Sequence, residues 1–146
     1  IDMQRLDWKQ AIRVFEQIRT LRPDDEPVRK NLIDLSFKLG QPAQANAEIE
    51  SYSSYLQSNN RDAQMIPFLE DLLTERPDDP ILKRALASAY QQAGRVEDAV
   101  KELDTLADSL LNTGKKEEAM VVINQILLLN PANSEQYRQL LSQIQQ

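Results

Sequence analysis

The sequence RPDDEPVRKNL at residues 22–32 has a close counterpart in RPDDPILKRAL at residues 76–86. The first four residues are identical, and the offset between the two stretches is 54 positions. In both stretches a proline and two aspartates directly precede a segment in which apolar residues recur at helical spacing. A boundary that recurs in this way is typical of an internal repeat, in which one structural unit is copied along the chain.

The repeat extends over nearly the whole sequence. Alignment of the chain with itself at this offset needs no gap from Asp7 to the C-terminus. The positions that coincide hold prolines, leucines, glycines and small residues, namely Pro23, Pro77 and Pro131; Leu32, Leu86 and Leu140; Gly40 and Gly94; and Ala45 and Ala99.

This repeat predicts the domain organisation. One repeat domain is expected, since a chain of 146 residues is within the usual size of a single folded unit. Its predicted units are residues 26–79 and 80–133, with partial units at residues 1–25 and 134–146. Because the sequence begins in mid-repeat and at Ile1 rather than at a methionine, we expect it to be part of a longer protein.

The apolar spacing within each unit is helical. Val28, Leu32, Leu35 and Leu39 follow one another at the three- and four-residue intervals of a single helix face. Glycine follows some of these runs and proline follows others, and both residues commonly mark helix ends. The pattern predicts an all-α fold of about eight helices, at residues 8–21, 27–39, 42–58, 62–75, 80–93, 96–112, 116–129 and 134–145.

Three stretches resemble the tetratricopeptide repeat (TPR) family: DWKQAIRVFEQIRTLRPDD, LKRALASAYQQAGRVEDAVKEL and NTGKKEEAMVVINQILLLNP. A TPR motif is a helix hairpin of about 34 residues with a glycine between its helices, a small residue where they cross and a proline at its end. Gly94 and Ala99 fit the turn and the crossing, and Gly114, Ala119 and Pro131 fit this pattern again. The resemblance implies a right-handed α-solenoid of antiparallel helix hairpins with a concave groove, and a role as a scaffold for protein–protein interaction.

The offset of 54 residues is longer than one TPR motif because each unit contains two hairpins, and it is shorter than two motifs because these hairpins overlap. Frames of about 34 residues at 26–59 and 46–79 share one helix. The helices at 42–58 and 96–112 are therefore predicted to pack on two sides, which requires a wide apolar surface. The second of these helices has such a surface, formed by Val96, Ala99, Val100, Leu103, Leu106, Ala107, Leu110 and Leu111.

The composition excludes several kinds of chemistry. Cysteine and histidine are both absent, which rules out disulfides, metal sites built on these residues, and catalytic groups that depend on them. We expect no cofactor. The net charge of −6 argues against binding to nucleic acid or to an anionic membrane surface, since both need clustered Lys and Arg.

The paired acids have a structural explanation. Asp24 with Asp25, and Asp78 with Asp79, directly precede predicted helices. A carboxylate at this position caps free backbone N–H groups and interacts favourably with the helix dipole. Glu117 and Glu118 open another predicted helix and have the same explanation, so an enzyme is not expected.

A basic residue occupies the same repeat position three times, as Lys30, Arg84 and Arg138. The TPR resemblance places this position on the groove, where it would bind carboxylates of a partner protein or peptide. The predicted groove residues are Lys30, Asp34, Phe37, Lys38, Arg84, Ser88, Gln91, Gln92 and Arg138. The alternative is a solvated face with local ion pairs such as Lys30 with Asp34, and with Phe37 in edge packing rather than as an aromatic anchor.

Two features leave other possibilities open. Trp8, Ile12 and Phe15 have no preceding helix to cover them, so we expect them to be exposed and able to pair two chains as a homodimer. The alternative function is accordingly a structural spacer or self-association module of a larger regulator or enzyme.

Pro67 falls inside a predicted helix, which must either begin late, near Ile66, or kink.

The helical pattern makes Leu103 a core residue. Replacement of Leu103 by alanine is expected to lower the free energy of unfolding by roughly 2–5 kcal/mol, the range for truncation of a buried aliphatic side chain. Chemical denaturation followed by circular dichroism measures this change. An unfolding midpoint equal to that of the parent protein would contradict the assignment of Leu103 to the core.

Overall fold

The protein folds into helices and turns. The computed structural model describes the backbone of residues 3–146, and the surroundings of side chains from Leu6 onward. Its helices are α1 (Met3–Leu21), α2 (Glu26–Lys38), α3 (Pro42–Ser58), α4 (Met65–Glu75), α5 (Pro80–Gln92), α6 (Val96–Asn112), α7 (Lys116–Leu128) and α8 (Ser134–Gln145). Residues 3–146 contain no β-strand, so the prediction of an all-α fold is confirmed.

Two predicted helix starts are wrong. Helix α1 begins at Met3 rather than at residue 8, since residues 3–7 contain no glycine or proline that would stop it. Helix α4 begins at Met65 rather than at residue 62, after a short 3-10 helix at Asp62–Gln64, which confirms the alternative of a late start near Ile66. Pro67 therefore lies in the first turn of α4, where its missing N–H group would have no partner within the helix anyway.

Repeated aspartates start the equivalent helices α2 and α5. Asp25 Oδ1 accepts a hydrogen bond from the backbone N–H of Val28 at 3.2 Å, and Asp79 Oδ1 accepts one from Leu82 at 3.1 Å. Each cap is followed by a proline in the first helical turn. The capping role predicted from the repeated RPDD sequence is thus confirmed for Asp25 and Asp79.

The turn after α3 departs from the glycine found at the equivalent turn after α6. Gly114 has φ +77°, in the left-handed region that side chains with a Cβ rarely adopt. Asn60 takes the equivalent position after α3 with φ +57°, which asparagine tolerates better than most residues.

The chain divides into two compact units, Ile1–Asp62 and Ala63–Gln146. That both belong to one repeat domain stays a prediction. In the first unit, α2 packs against α1 on one side and α3 on the other. The fully buried apolar residues of α2 and α3 include Leu32, Ile33, Ala45, Ile49, Tyr52 and Leu56.

In the second unit, each helix from α4 to α8 packs against the next helix in the chain. Helix α6 packs against both α5 and α7, which confirms the predicted two-sided packing for this helix. Leu103 of α6 is only 6% exposed and belongs to the core. The other buried members of that core are Ala87, Leu106, Ala107, Leu110, Ala119, Val122, Ile123, Ile126 and Tyr137.

The apolar side chains of α1 lie on two faces. Trp8, Ile12 and Phe15 are half-buried, so the expectation that these three are exposed is wrong. The physical reason is that α1 already packs against α2, which covers part of this helix. The exposed large apolar residues of α1 are instead Leu6, Val14 and Leu21.

Candidate functional site

A pocket of about 310 Å³ opens on the second unit. Its walls come from α5 and from the end of α7, and α6 contributes to its lining between them. The lining residues are Arg84, Ala87, Ser88 and Gln91 of α5, Leu103 of α6, and Gln125, Leu128 and Leu129 at the end of α7. We call this the α5–α7 pocket.

Helix periodicity places the polar residues of α5 on one side. Arg84, Ser88 and Gln91 are spaced four and three residues apart, so they project from the same face and span about 10 Å along the helix axis. Ala87 on this wall is small, and Leu103 reaches the pocket from the buried core behind it. The α5 wall is therefore polar, with apolar surface beneath it.

The two walls differ in chemistry. Arg84 is exposed and makes no hydrogen bond, ion pair or ring contact with another described residue. On the α7 side, Leu128 is 85% exposed, which is unusual for a large aliphatic side chain beside a pocket. The pocket thus combines this guanidinium group, three amide or hydroxyl side chains, and apolar surface.

Three of the predicted groove residues meet in this pocket, namely Arg84, Ser88 and Gln91. The neighbouring Gln92 is exposed but does not line it. Arg138 of α8 is also outside the pocket, and its Nη1 lies 3.4 Å from Glu135 Oε2 of the same helix. The structure therefore separates Arg138 from Arg84 although both occupy the same repeat position.

Four other predicted groove residues lie on α2 of the first unit. Asp34 Oδ2 forms an ion pair with Lys38 Nζ at 2.9 Å. Lys30 and Phe37 are half-buried. A local ion pair on a solvated face is thus present on α2, and it joins Asp34 to Lys38.

The structure also contains a buried cation that the sequence reasoning missed. Arg29 of α2 is only 3% exposed. Its Nε donates to the backbone carbonyl of Pro23 at 3.1 Å, and its Nη1 donates to Ser51 Oγ at 3.0 Å. The guanidinium carbon lies 5.1 Å from the ring centre of Tyr52 and 5.9 Å from that of Tyr55. Burial lowers the pKa of Arg29, and the nearby Glu48 carboxylate opposes this shift.

Glu48 of α3 is the buried carboxylate of this cluster. Its Oε1 accepts a hydrogen bond from Arg19 Nη1 of α1, and its Oε2 lies 3.9 Å from Arg29 Nη1. Oε2 accepts no hydrogen bond from any described residue. One carboxylate thus links α1, α2 and α3, and its second oxygen is balanced by charge rather than by a hydrogen bond.

The second unit repeats part of this arrangement. Lys83 of α5, at the position equivalent to Arg29, is 4% exposed, and its Nζ lies 3.7 Å from Asp78 Oδ1. Glu102 of α6 occupies the position equivalent to Glu48. Burial raises the pKa of Glu102, while the charge of Lys83 acts in the opposite direction. The offset of 54 residues already pairs Arg29 with Lys83 and Glu48 with Glu102, so this signal was available in the sequence.

At the third copy of this position the cation is replaced by Tyr137. The Tyr137 hydroxyl donates to Asp104 Oδ1 of α6 at 3.0 Å. Burial raises the pKa of Tyr137, and the hydrogen bond to Asp104 raises it further. All three copies of the position are therefore buried and polar, next to the series of Lys30, Arg84 and Arg138.

No group of three or more acidic side chains within the described part of the chain is placed to hold a metal ion. None of the helices between Met3 and Gln145 combines the length and apolar character needed to cross a bilayer.

The sequence that forms these consecutive helix hairpins matches models of a known family. A tetratricopeptide repeat family model matches residues 3–66 and 55–110, and a second tetratricopeptide repeat model matches residues 103–133. The matches cover most of the sequence, and the chain belongs to the tetratricopeptide repeat family. A role in protein–protein interaction is typical of this family.

Among solved structures, a thermophilic TPR protein from Thermus thermophilus aligns with 94% of this chain and 90% of its own. The two share 16% sequence identity, with a TM-score of 0.33. No curated protein sequence matches the chain.

The buried cluster of the first unit is expected to be sensitive to loss of one partner. Replacement of Arg29 by alanine should lower the free energy of unfolding by roughly 3–5 kcal/mol, because it leaves the Glu48 carboxylate buried with one cation fewer. The double replacement Arg29→Met with Glu48→Met should stay much closer to the parent protein. Urea denaturation of both variants measures this difference, and equal losses in the two would contradict an energetic coupling of Arg29 with Glu48.

Proposed function

We propose that the chain is a protein-interaction scaffold that holds a segment of a partner protein in the α5–α7 pocket. One observation carries this proposal: Arg84, which has no partner among the described residues, lies in the same pocket as the highly exposed Leu128. A ligand can remove the exposed aliphatic group from water, and a ligand carboxylate can form charge-assisted hydrogen bonds with the guanidinium group. Membership of the TPR family supports the same role.

The proposed mechanism is recognition without reaction. The polar groups that line the pocket are a guanidinium, a serine hydroxyl and two amides, together with apolar side chains. Such groups donate and accept hydrogen bonds, but this set includes no carboxylate, amine or phenol that would act as a base. The pocket therefore supports binding of a short extended segment, or of side chains from one face of a partner helix.

The other predicted groove residues lie outside the α5–α7 pocket, and their role in binding is a separate proposal. Lys30, Asp34, Phe37 and Lys38 would contact a partner only through α2 of the first unit, where Asp34 and Lys38 already pair with each other. Arg138 would act from α8, beside Glu135. We therefore centre the proposed binding site on Arg84, Ser88 and Gln91.

Exposure at Leu128 allows a direct test of the pocket. In selection from a displayed library of random peptides, replacement of Leu128 by aspartate should reduce binding of the enriched peptides about tenfold or more, since a charge disrupts an apolar contact centre. Val121→Asp is the control, because Val121 is also an exposed aliphatic residue of α7 but lies outside the pocket lining. Peptides that bind Leu128→Asp as tightly as the parent protein would contradict the proposed site.

The exposed residues of α1 favour self-association as a second candidate function. Leu6, Val14 and Leu21 are spaced eight and seven residues apart, so they fall within an arc of about 80° on one face of the helix. A second copy of the chain would remove this line from water by packing helix against helix.

Sedimentation velocity at several protein concentrations tests this second candidate. If α1 mediates a dimer, the parent protein should form one that Val14→Asp disperses, since the new charge would lie in the apolar contact. Val121→Asp is the control, because Val121 of α7 is similarly exposed, at 56% against 53% for Val14. A monomer at every concentration, or a dimer that survives Val14→Asp, would exclude association through this face.

A further inference from the structure

We infer that the partner segment recognised by the α5–α7 pocket carries an internal Asp or Glu whose side chain pairs with Arg84, and a large aliphatic or aromatic residue that contacts Leu128. This inference rests on the proposed function and specifies the chemistry of the ligand.

The charge of the ligand follows from the pocket lining. Arg84 is the one charged residue among the described residues that line the pocket. The two other members of its series differ in this respect, because Arg138 lies beside Glu135 and Lys30 has interactions of its own in the first unit. An available guanidinium group binds a carboxylate through two parallel hydrogen bonds, which favours an acidic ligand even though the whole chain has a net charge of −6.

The apolar part of the ligand follows from the apolar residues on the α7 side of the pocket. Leu128 ends α7 and Leu129 directly follows it, and Leu103 adds apolar surface from α6. A ligand side chain that covers Leu128 would remove from water an aliphatic group that the fold leaves 85% exposed. A large apolar side chain gains most from this contact because the free energy scales with the area removed from water.

The two groups lie on different helices of the second unit. Arg84 lies in the first half of α5, whereas Leu128 is the last residue of α7. Helices α5 and α7 are separated by α6, which packs against both, so short turns make α5 and α7 run in the same direction. The acidic and the apolar residue of the ligand therefore have to reach two different helices across one pocket.

An internal side chain is a better source of the carboxylate than a chain terminus. Terminal carboxylates are held by nests of backbone N–H groups at turns or helix starts, or by several side-chain donors together. The pocket is lined instead by residues from within α5 and α6 and from the end of α7. With no such nest among the described lining residues, the Arg84 side chain provides the strong donors by itself.

Charge reversal at Arg84 tests the inference. Peptides enriched on the parent protein should contain an acidic residue and a large apolar residue, whereas those enriched on Arg84→Glu should contain Lys or Arg in place of the acid. Lys101→Glu is the control, since it reverses the charge of an exposed residue of α6 outside the pocket lining, and it should select the same peptides as the parent. Enrichment without an acidic residue on the parent, or an unchanged preference on Arg84→Glu, would overturn the inference.

Synthetic versions of one enriched peptide distinguish the sources of the carboxylate. Replacement of its acidic residue by the corresponding amide should weaken binding about tenfold or more, the effect of losing one charged hydrogen-bonded pair. Amidation of its C-terminus should leave the affinity unchanged. The opposite pattern would show capture of the terminus and overturn the inference.

The proposed function and the ligand chemistry fail in different ways. If Leu128→Asp abolishes binding but the bound peptides lack acids, the pocket is a binding site and only the ligand chemistry is wrong. If no peptide binds in a manner that depends on Leu128, both the proposed function and the inference are wrong.

Discussion

Each helix of this protein can remove its apolar stripe from water only by packing against the helices next to it in the chain. Helix α2 depends on α1 and α3 in this way, and α6 depends on α5 and α7. Stability is therefore shared between neighbours, as expected for repeat proteins, rather than concentrated in one central core. The apolar surface of α6 is correspondingly wide, and Ala99 and Ala107, both buried, allow close approach of the flanking helices.

The same constraint produces the candidate site. Helix α6 packs against both α5 and α7. The polar face of α5 and the end of α7 then border an open concavity with Leu103 behind it. Side chains on these faces contribute little to the core, so they are available for recognition, which is why Leu128 can remain exposed.

Buried polar groups add specificity to a packing scheme that is otherwise nonspecific. A buried carboxylate is costly unless cations and donors surround it, and Glu48 meets that need with groups from α1 and α2. Lys83 and Tyr137 keep the same repeat position polar in the second unit, with Asp78 and Asp104 as their partners. The contacts of Glu48 and of Tyr137 join different helices, and we regard them as devices that fix the helix register, since a shift of one residue would leave a buried polar group without its partner.

The sequence by itself determined the helices and most of their ends, because apolar spacing, Asp25 and Asp79 caps and left-handed turns are local properties of the chain. It also indicated that α6 packs on two sides, since its apolar surface is too wide for one neighbour. Only the tertiary structure decided which exposed residues meet. Repeat position alone treats Arg84 and Arg138 as equivalent, whereas packing places Arg84 in a pocket and Arg138 beside Glu135. The physical reason is that a repeat specifies the face of a helix, but the environment of that face depends on the neighbouring helices.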